Sequence, residues 1–222
     1  MEIHKPKPWH GWLEFAKEIG TIVIGVLLAI GAEQMVEVLH HRAQAREMAK
    51  KLSVEGDENR HVIAYDMEDL RTALNSADAD LDAVTKNTSS PPLVKPNLYR
   101  ASDVAWVATR DSGLLPIMPK LLTDNAWKVD FTNEAVMVSM RGVGAAADQA
   151  EAALSLLKVT PDDVELRRTT RLRLAQLRVE EAQLISDLDF YRRINEQMLR
   201  GEMIDTVSAL QRAQAGRKSE AH

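Results

Sequence analysis

The pattern of hydrophobic and polar positions changes abruptly near residue 33. Residues 19–32 are fourteen consecutive uncharged positions, most of them apolar, bounded by Glu18 and Glu33. Downstream, apolar residues recur at spacings of three and four, which is the period of a helix that buries one face. The chain therefore divides into an apolar N-terminal helix and a long body of amphipathic helices.

The apolar run predicts a membrane anchor once the helix is extended on both sides. Fourteen residues rise only about 21 Å along a helix, against a hydrocarbon core of about 30 Å. A helix over residues 13–39 supplies the missing length. Trp9, Trp12 and Lys17 are expected at an interface, where indole rings and a snorkelling ammonium group are favourable. A buried core helix and a signal peptide cleaved near residues 29–31 stay open as alternatives.

Three small residues share one face of this span. Thr21, Gly25 and Ala29 are spaced by four, an arrangement that lets two membrane helices approach closely. We take this as a candidate packing face for self-association. The alternative is that it reflects the general abundance of glycine and alanine in membrane helices.

The flanking positive charges do not decide the orientation of the span, because similar numbers of Lys and Arg lie on its two sides. A short tail followed by a long body is typical of a signal anchor, and long domains translocate largely regardless of charge. We therefore expect the body on the extracytoplasmic side of the membrane.

The body contains three apolar seams, of which the first two have alternating spacings of four and three and the third is interrupted by Glu181 and Asn195. They comprise Ile63, Met67, Leu70, Leu74, Ala77, Leu81 and Val84; Val136, Met140, Val143, Ala147, Ala150, Leu154 and Leu157; and Leu174, Leu177, Leu184, Leu188, Tyr191 and Met198. Such seams are typical of helices that pack lengthwise. The sequence thus predicts an all-α protein, in which the N-terminal transmembrane helix continues into an antiparallel helical bundle with long coiled-coil-like helices.

Local signals divide the chain further. Prolines and small polar residues predict a loop over residues 86–97, followed by a short helix around Trp106, another over residues 119–131, and a longer one capped by Thr132. Thr160 and the following proline predict the start of a last long helix that ends at Leu199. The predicted regions are a tail and interfacial segment 1–12, the anchor 13–39, the bundle 40–214, with a last amphipathic helix over 202–214, and a disordered tail 215–222.

Charge is distributed unevenly along the body. The chain has a net charge of −5, with acids concentrated in residues 55–82 and arginines in residues 165–178. The two segments are expected to lie side by side, and the alternative is that both are solvated faces. An acidic body argues against nucleic-acid binding. The chain has no cysteine, which excludes thiol catalysis, disulfides and cysteine-ligated metals.

The sequence indicates no catalytic residue, metal site or cofactor. Two Glu-x-x-His pairs begin at Glu37 and Glu58, but at about 31 Å apart on one helix they cannot form a common centre. The triplet Asp78, Asp80 and Asp82 resembles the start of a calcium loop but lacks the glycine and the glutamate that such loops need. It is interpreted as a solvated helix face.

The N-terminal region resembles a group of uncharacterised bacterial membrane-anchored helical proteins. The residues that carry the resemblance are Trp12, Phe15, Glu18, Ile19, Gly25, Ala29 and Glu33, with a weaker likeness at residues 105–106 and 112–114. The resemblance implies a bacterial single-pass membrane protein and carries no activity with it.

Together these features favour an accessory, scaffold or sensor protein. We expect it to act through a protein–protein interaction, and its partners are the lipid bilayer and another membrane or extracytoplasmic protein, or a second copy of itself. The alternative is a small-ligand-binding or enzymatic helical domain with a pocket under the loops of residues 98–131, between Trp106 and Trp127.

Overall fold

The structure is a computed structural model that describes residues 11–89 and 92–204, and every regular element in these ranges is helical. Helix α1 spans Gly11–Lys86, α2 spans Val104–Asp111, α3 spans Lys120–Val159 and α4 spans Val164–Leu199. A 3-10 turn at Leu115–Ile117 connects α2 to α3. The all-α prediction is confirmed.

Helix α1 continues without interruption from the apolar segment into the body. Its 76 residues correspond to about 114 Å of helix. Ala45 is the first residue of α1 that is buried. By length and composition α1 is able to cross a membrane, and none of its most apolar 18-residue window is buried within the described chain.

Helix α4 is the centre of the body. It packs along both α1 and α3, which make few contacts with each other. The Asn195 amide donates to the Gly56 carbonyl at 2.6 Å, and Arg178 Nε lies 2.6 Å from Asp78 Oδ1 near the other end of the contact. These two contacts establish that α1 and α4 are antiparallel. In this register the basic segment 165–178 meets only the end of the acidic segment 55–82, through the ion pair of Arg178 with Asp78, and most of the acidic segment lies along the part of α4 that follows Arg178.

The predicted seams form the core of this arrangement. Most of their residues are buried, including Leu70, Ala77, Val143, Leu174 and Leu184, whereas Leu74 and Leu81 are only half-buried. Gly56 lies against α4, because a Cβ there would lie 3.0 Å from Leu199 Cδ2 and Met198 Cε. A larger residue at this position would require the ends of these two side chains to shift.

Residues 92–103 form an extended strap that runs back along α1. Side chains of α1 accept hydrogen bonds from the backbone of the strap and of the α2 N-terminus. The pairs are Ser76 with Val94 N at 3.0 Å, Asp69 with Asn97 N, Asp66 with Tyr99 N at 3.0 Å, Asn59 with Ser102 N at 2.7 Å, and Glu55 with Ala105 N at 2.7 Å. The interpretation of the acidic residues 55–82 as a solvated face is therefore wrong for Glu55, Asp66 and Asp69.

The strap and α1 match in length. Residues 94–102 of an extended chain cover about 27 Å, and residues 59–76 of a helix rise about 26 Å. This match lets successive strap amides meet acceptors on one face of α1. An extended strand has no internal backbone hydrogen bonds, so the side chains of α1 supply the partners that its amides need.

Two predicted helix boundaries are wrong. Helix α3 runs through residues 130–132 without a break, and the Thr132 hydroxyl donates to the Lys128 carbonyl at 2.8 Å instead of capping a new helix. The N-cap of α4 is Asp163, whose carboxylate accepts a hydrogen bond from Leu166 N at 2.8 Å. Thr160 instead forms the C-cap of α3, where its backbone N–H donates to the Leu156 carbonyl.

The C-terminal predictions are tested only in part. Helix α4 ends at Leu199, as predicted, and Gly201 follows with a φ of 65° that favours glycine. Residues 202–204 are not helical, which corrects the start of the predicted last helix. The remainder of that helix, the tail 215–222 and Trp9 lie outside the described residues.

Candidate functional site

The predicted packing face of the span is uncovered in the structure. The Thr21 hydroxyl donates to the Lys17 carbonyl at 2.9 Å, within its own helix. A Cβ on Gly25 would meet nothing within 4 Å, and Ala29 is exposed. Trp12 is 81% exposed, and its ring centroid lies 5.8 Å from that of Phe15. These residues remain available to a bilayer or a second helix.

An exposed aromatic groove lies between α3 and α4, away from the span. Trp127 and Phe131 are 57% and 63% exposed, and their rings stack with centroids 5.8 Å apart. Phe190 of α4 lines the same groove, whose volume is about 470 Å³. We call this surface, which also includes Lys128, Thr132, Ala135, Val136 and Asp187, the aromatic groove.

The aromatic groove concentrates a scarce residue type. Phenylalanine occurs three times in the chain: Phe15 belongs to the apolar N-terminal segment, and the other two line the groove. Trp106 is buried, so Trp127 is the exposed tryptophan of the described body. Large exposed aromatic patches on a folded body mark interaction surfaces, because burying them in a partner removes much apolar area from water.

The groove arises because α3 carries apolar residues off its seam. Val143 and Ala147 face the core, whereas Trp127 and Phe131 are one helical turn apart on a different side of the helix. Sequence reasoning missed the groove because the break placed at residues 130–132 separated Trp127 from the seam. The available signal was a pair of aromatic residues at positions i and i+4 that no seam uses.

The two charges that line the groove already have partners within the chain. Lys128 Nζ donates to the Ile204 carbonyl at 2.8 Å. Asp187 accepts from Ser139 Oγ at 2.8 Å and from Gln183 Nε2 at 2.7 Å. The groove therefore offers mainly apolar contact, and the two charged groups at its edge are hydrogen-bonded to neutral groups of the chain.

Helical rise places the groove well beyond the apolar segment. Ala126, the neighbour of Trp127, lines a small cavity together with Gly56 of α1. Gly56 lies seventeen residues after Leu39, or about 25 Å along the helix axis. A bilayer that surrounds residues 13–39 would not reach the groove.

A cavity is also present where the alternative prediction expects a pocket. Trp106, Ser102, Asp130 and Tyr191 are among the residues that line it, and its volume is about 20 Å³. This is close to the space that a single water molecule needs. The cavity is too small for a metabolite, although its lining is polar.

Two carboxyl groups in the body have raised pKa values. Burial raises the pKa of Glu181 to about 7, with a smaller contribution from the nearby Asp78 carboxylate. Burial also raises the pKa of Asp66 to about 6, opposed by the hydrogen bond from the Tyr99 amide. Asp80 is fully buried, which corrects its interpretation as part of a solvated face.

Among the described residues, no cluster of three or more His, Asp or Glu side chains is arranged to hold a metal ion. The two Glu-x-x-His pairs lie on α1 in different surroundings, one on the exposed segment and one on the packed body.

Comparison with protein-family models, with curated proteins and with solved structures finds no match.

Proposed function

We propose that this chain is a single-pass membrane protein whose helical body binds another protein through the aromatic groove. The observation that carries the proposal is the stacked pair Trp127 and Phe131, two large aromatic side chains that remain exposed beside Phe190. Aromatic residues in such a groove are typical energetic centres of protein interfaces. The protein would act as an accessory, scaffold or sensor subunit.

The exposed part of α1 supports the membrane half of the proposal. Apolar side chains from Trp12 to Leu39 are exposed, and no described part of the chain covers them. Leaving so large an apolar surface in water is unfavourable, whereas a bilayer would cover it. The uninterrupted helix from residue 11 to residue 86 favours a retained anchor over a cleaved signal peptide.

Localisation in a bacterial inner membrane, with the body on the extracytoplasmic side, is part of the same proposal. It rests on the resemblance of the N-terminal residues and on the layout of a short tail before a long body. Fusion of alkaline phosphatase to the C-terminus tests the orientation, because the enzyme is active only outside the cytoplasm. An inactive fusion that is fully expressed would place the body inside.

The decisive experiment compares two double variants of the full chain, purified in detergent from its native membrane. Trp127→Ala/Phe131→Ala removes the stacked pair, and Leu172→Ala/Val179→Ala removes two residues of α4 that are equally exposed, at 64% and 67%. We expect one protein to copurify at fixed stoichiometry with the wild type and the control, and to be lost from the groove variant. Equal recovery with both variants would refute the groove as the binding surface.

A further inference from the structure

The chain arrives at one end of the aromatic groove at Ile204. After α4 ends, the backbone crosses to the first turns of α3. Asn125 Nδ2 donates to the Glu202 carbonyl at 2.7 Å, and Asn125 Oδ1 accepts from Ile204 N at 3.3 Å. Lys128 Nζ donates to the Ile204 carbonyl at 2.8 Å, and Ile204 is 2% exposed. Residues 202–204 are therefore held on α3 beside the groove.

The residues that hold this backbone share one stripe of α3 with the groove. The stripe has spacings of three, four and three, which places its members on one helix face. They are Asn125, Lys128, Thr132 and Ala135. The first two bind the backbone that follows α4, and the last three line the aromatic groove. A chain that continues past Ile204 along this stripe passes over the groove.

The groove has opposite charges at its two ends. Lys128 lies at the end where the chain arrives, and Asp187 of α4 lines the groove further along. Asp187 accepts from Ser139 Oγ at 2.8 Å, and Ser139 lies eleven residues after Lys128, or about 16 Å along α3. Phe131 and Phe190 lie between these charges. The surface is therefore basic, then aromatic, then acidic in the direction away from Ile204.

The segment that follows Ile204 in the sequence has the complementary order. Asp205 comes first, and Arg212 stands seven residues later. Between them, Val207 and Leu210 are the large apolar residues. Seven residue steps cover about 10 Å as a helix and about 23 Å when extended, a range that includes the 16 Å of the groove. When the segment follows the groove, each charge meets its opposite, and the apolar pair meets the aromatic rings.

We propose that residues 205–212 dock in the aromatic groove of their own chain and compete there with the partner protein. The inference rests on the proposed function, because it assigns a regulator to the same surface. The tether at Ile204 gives the segment an effective concentration of about 1 mM at the groove. A contact that would be weak between separate molecules is therefore sufficient to occupy the surface, and a partner must displace it.

Thiol labelling of the full chain in lipid nanodiscs tests the docked segment without any partner. The chain has no cysteine, so Ala135→Cys supplies a single thiol in the groove, and Val138→Cys supplies one outside it on the same helix. Both positions are exposed in the described chain. With an intrinsic Kd of about 0.1 mM, the tethered segment protects Ala135→Cys from a maleimide roughly tenfold, and Val138→Cys is not protected.

Two double variants connect the protection to the segment. Val207→Asp/Leu210→Asp, the segment variant, places charges on the apolar pair and should abolish the protection. Ser208→Asp/Gln211→Asp places the same charges on neighbouring polar residues and should keep it. Equal labelling of Ala135→Cys in all three backgrounds would overturn the proposal. Protection that falls on dilution of the protein would also overturn it, because the occupant would then be the segment of a second copy.

Recovery of the partner separates this inference from the proposed function. The segment variant should copurify with more partner than the wild type does, and an unchanged recovery would overturn the competition. If Trp127→Ala/Phe131→Ala loses the partner although Ala135→Cys is labelled freely, the groove binds a partner and the segment does not regulate it. If the segment protects Ala135→Cys although no partner copurifies, the docking stands and the proposed function fails.

Discussion

The two halves of α1 are one continuous helix in two different surroundings. Before Ala45 the helix has no buried residue, although its residues 19–32 are the most apolar stretch of the chain. After Ala45 it is charge-rich, yet it buries Leu52, Ile63, Leu70 and Ala77. Burial within the chain therefore follows the arrangement of apolar residues on one face, and it does not follow apolar content.

The difference has a physical reason. A single apolar seam is covered by one neighbouring helix, and the polar remainder of the surface stays in water or binds the strap. A helix that is apolar all round would need neighbours on every side, and the body supplies none for residues 11–44. A bilayer is the surrounding that covers such a surface without further protein.

The largest effect is expected when charges are placed in the uncovered half. Ile22→Asp together with Val26→Asp would cost about 5–7 kcal/mol of membrane insertion, at about 2.5–3.5 kcal/mol for each aspartate near the middle of a span. We expect the wild type to stay in the membrane pellet after carbonate extraction and the variant to be released.

The control places the same two charges on the packed half, at the exposed residues Ser53 and Ala64. Ser53→Asp/Ala64→Asp should remain in the pellet. Release of the wild type by carbonate would contradict the proposal that the N-terminal half of α1 spans a membrane.

The second comparison removes equal volumes from the two halves. Leu70 is 0% exposed and Leu28 is 69% exposed. Leu70→Ala should lower the free energy of unfolding of the body by about 2–5 kcal/mol, because it leaves a cavity in the α1–α4 contact. Leu28→Ala should change it by less than about 0.5 kcal/mol. Urea melts of the full chain in detergent, followed by circular dichroism, would show whether the two losses differ. Similar losses would contradict the burial of Leu70 against α4.

The third comparison concerns the polar face of the packed half. Asn59→Ala removes both hydrogen bonds to Ser102 and leaves buried backbone groups unsatisfied. We expect a loss of about 1–3 kcal/mol, together with faster amide exchange in the strap. Glu58→Gln, at the exposed neighbouring position, should be neutral. If Asn59→Ala were equally neutral, the strap would not depend on the side chains of α1.

The smallest expected effect depends on pH and involves Glu181, which faces the packed half. Its folded pKa of about 7 lies above the unfolded value of 4.5, so the unfolded chain releases its proton first as pH rises. Stability should therefore fall between about pH 4.5 and 7, and the full loss should remain above pH 7. Glu181→Gln stays neutral and should exceed the wild type by about 1–3 kcal/mol at pH 8, but not at pH 4.

Urea melts of Glu181→Gln over pH 4–8, beside Glu58→Gln as the exposed control, measure this difference. Asp66, whose raised pKa acts in the same direction, is unchanged in both variants. A gain for Glu181→Gln that did not vary with pH would mean that Glu181 stays ionised, or stays protonated, throughout this range.

The sequence by itself determined the features that depend on neighbours along the chain. The apolar run, the three seams, the break after Lys86 and the end of α4 near Gly201 all follow from periodicity, proline and glycine, which act within a few residues. The all-α fold could be predicted for that reason, whereas the sequence left the pairing of α1 with α4 open, because only their opposite charges indicated it.

Only the tertiary structure decided how the remaining polar and aromatic residues are used. Glu55, Asn59 and Asp66 look like surface residues in the sequence, and they became hydrogen-bond acceptors because the strap lies against them. Trp127 and Phe131 became a groove because α4 brings Phe190 beside them. These roles depend on which distant segments of the chain contact each other. The periodicity of a helix predicts which of its faces is buried, but it does not predict which segment packs against that face.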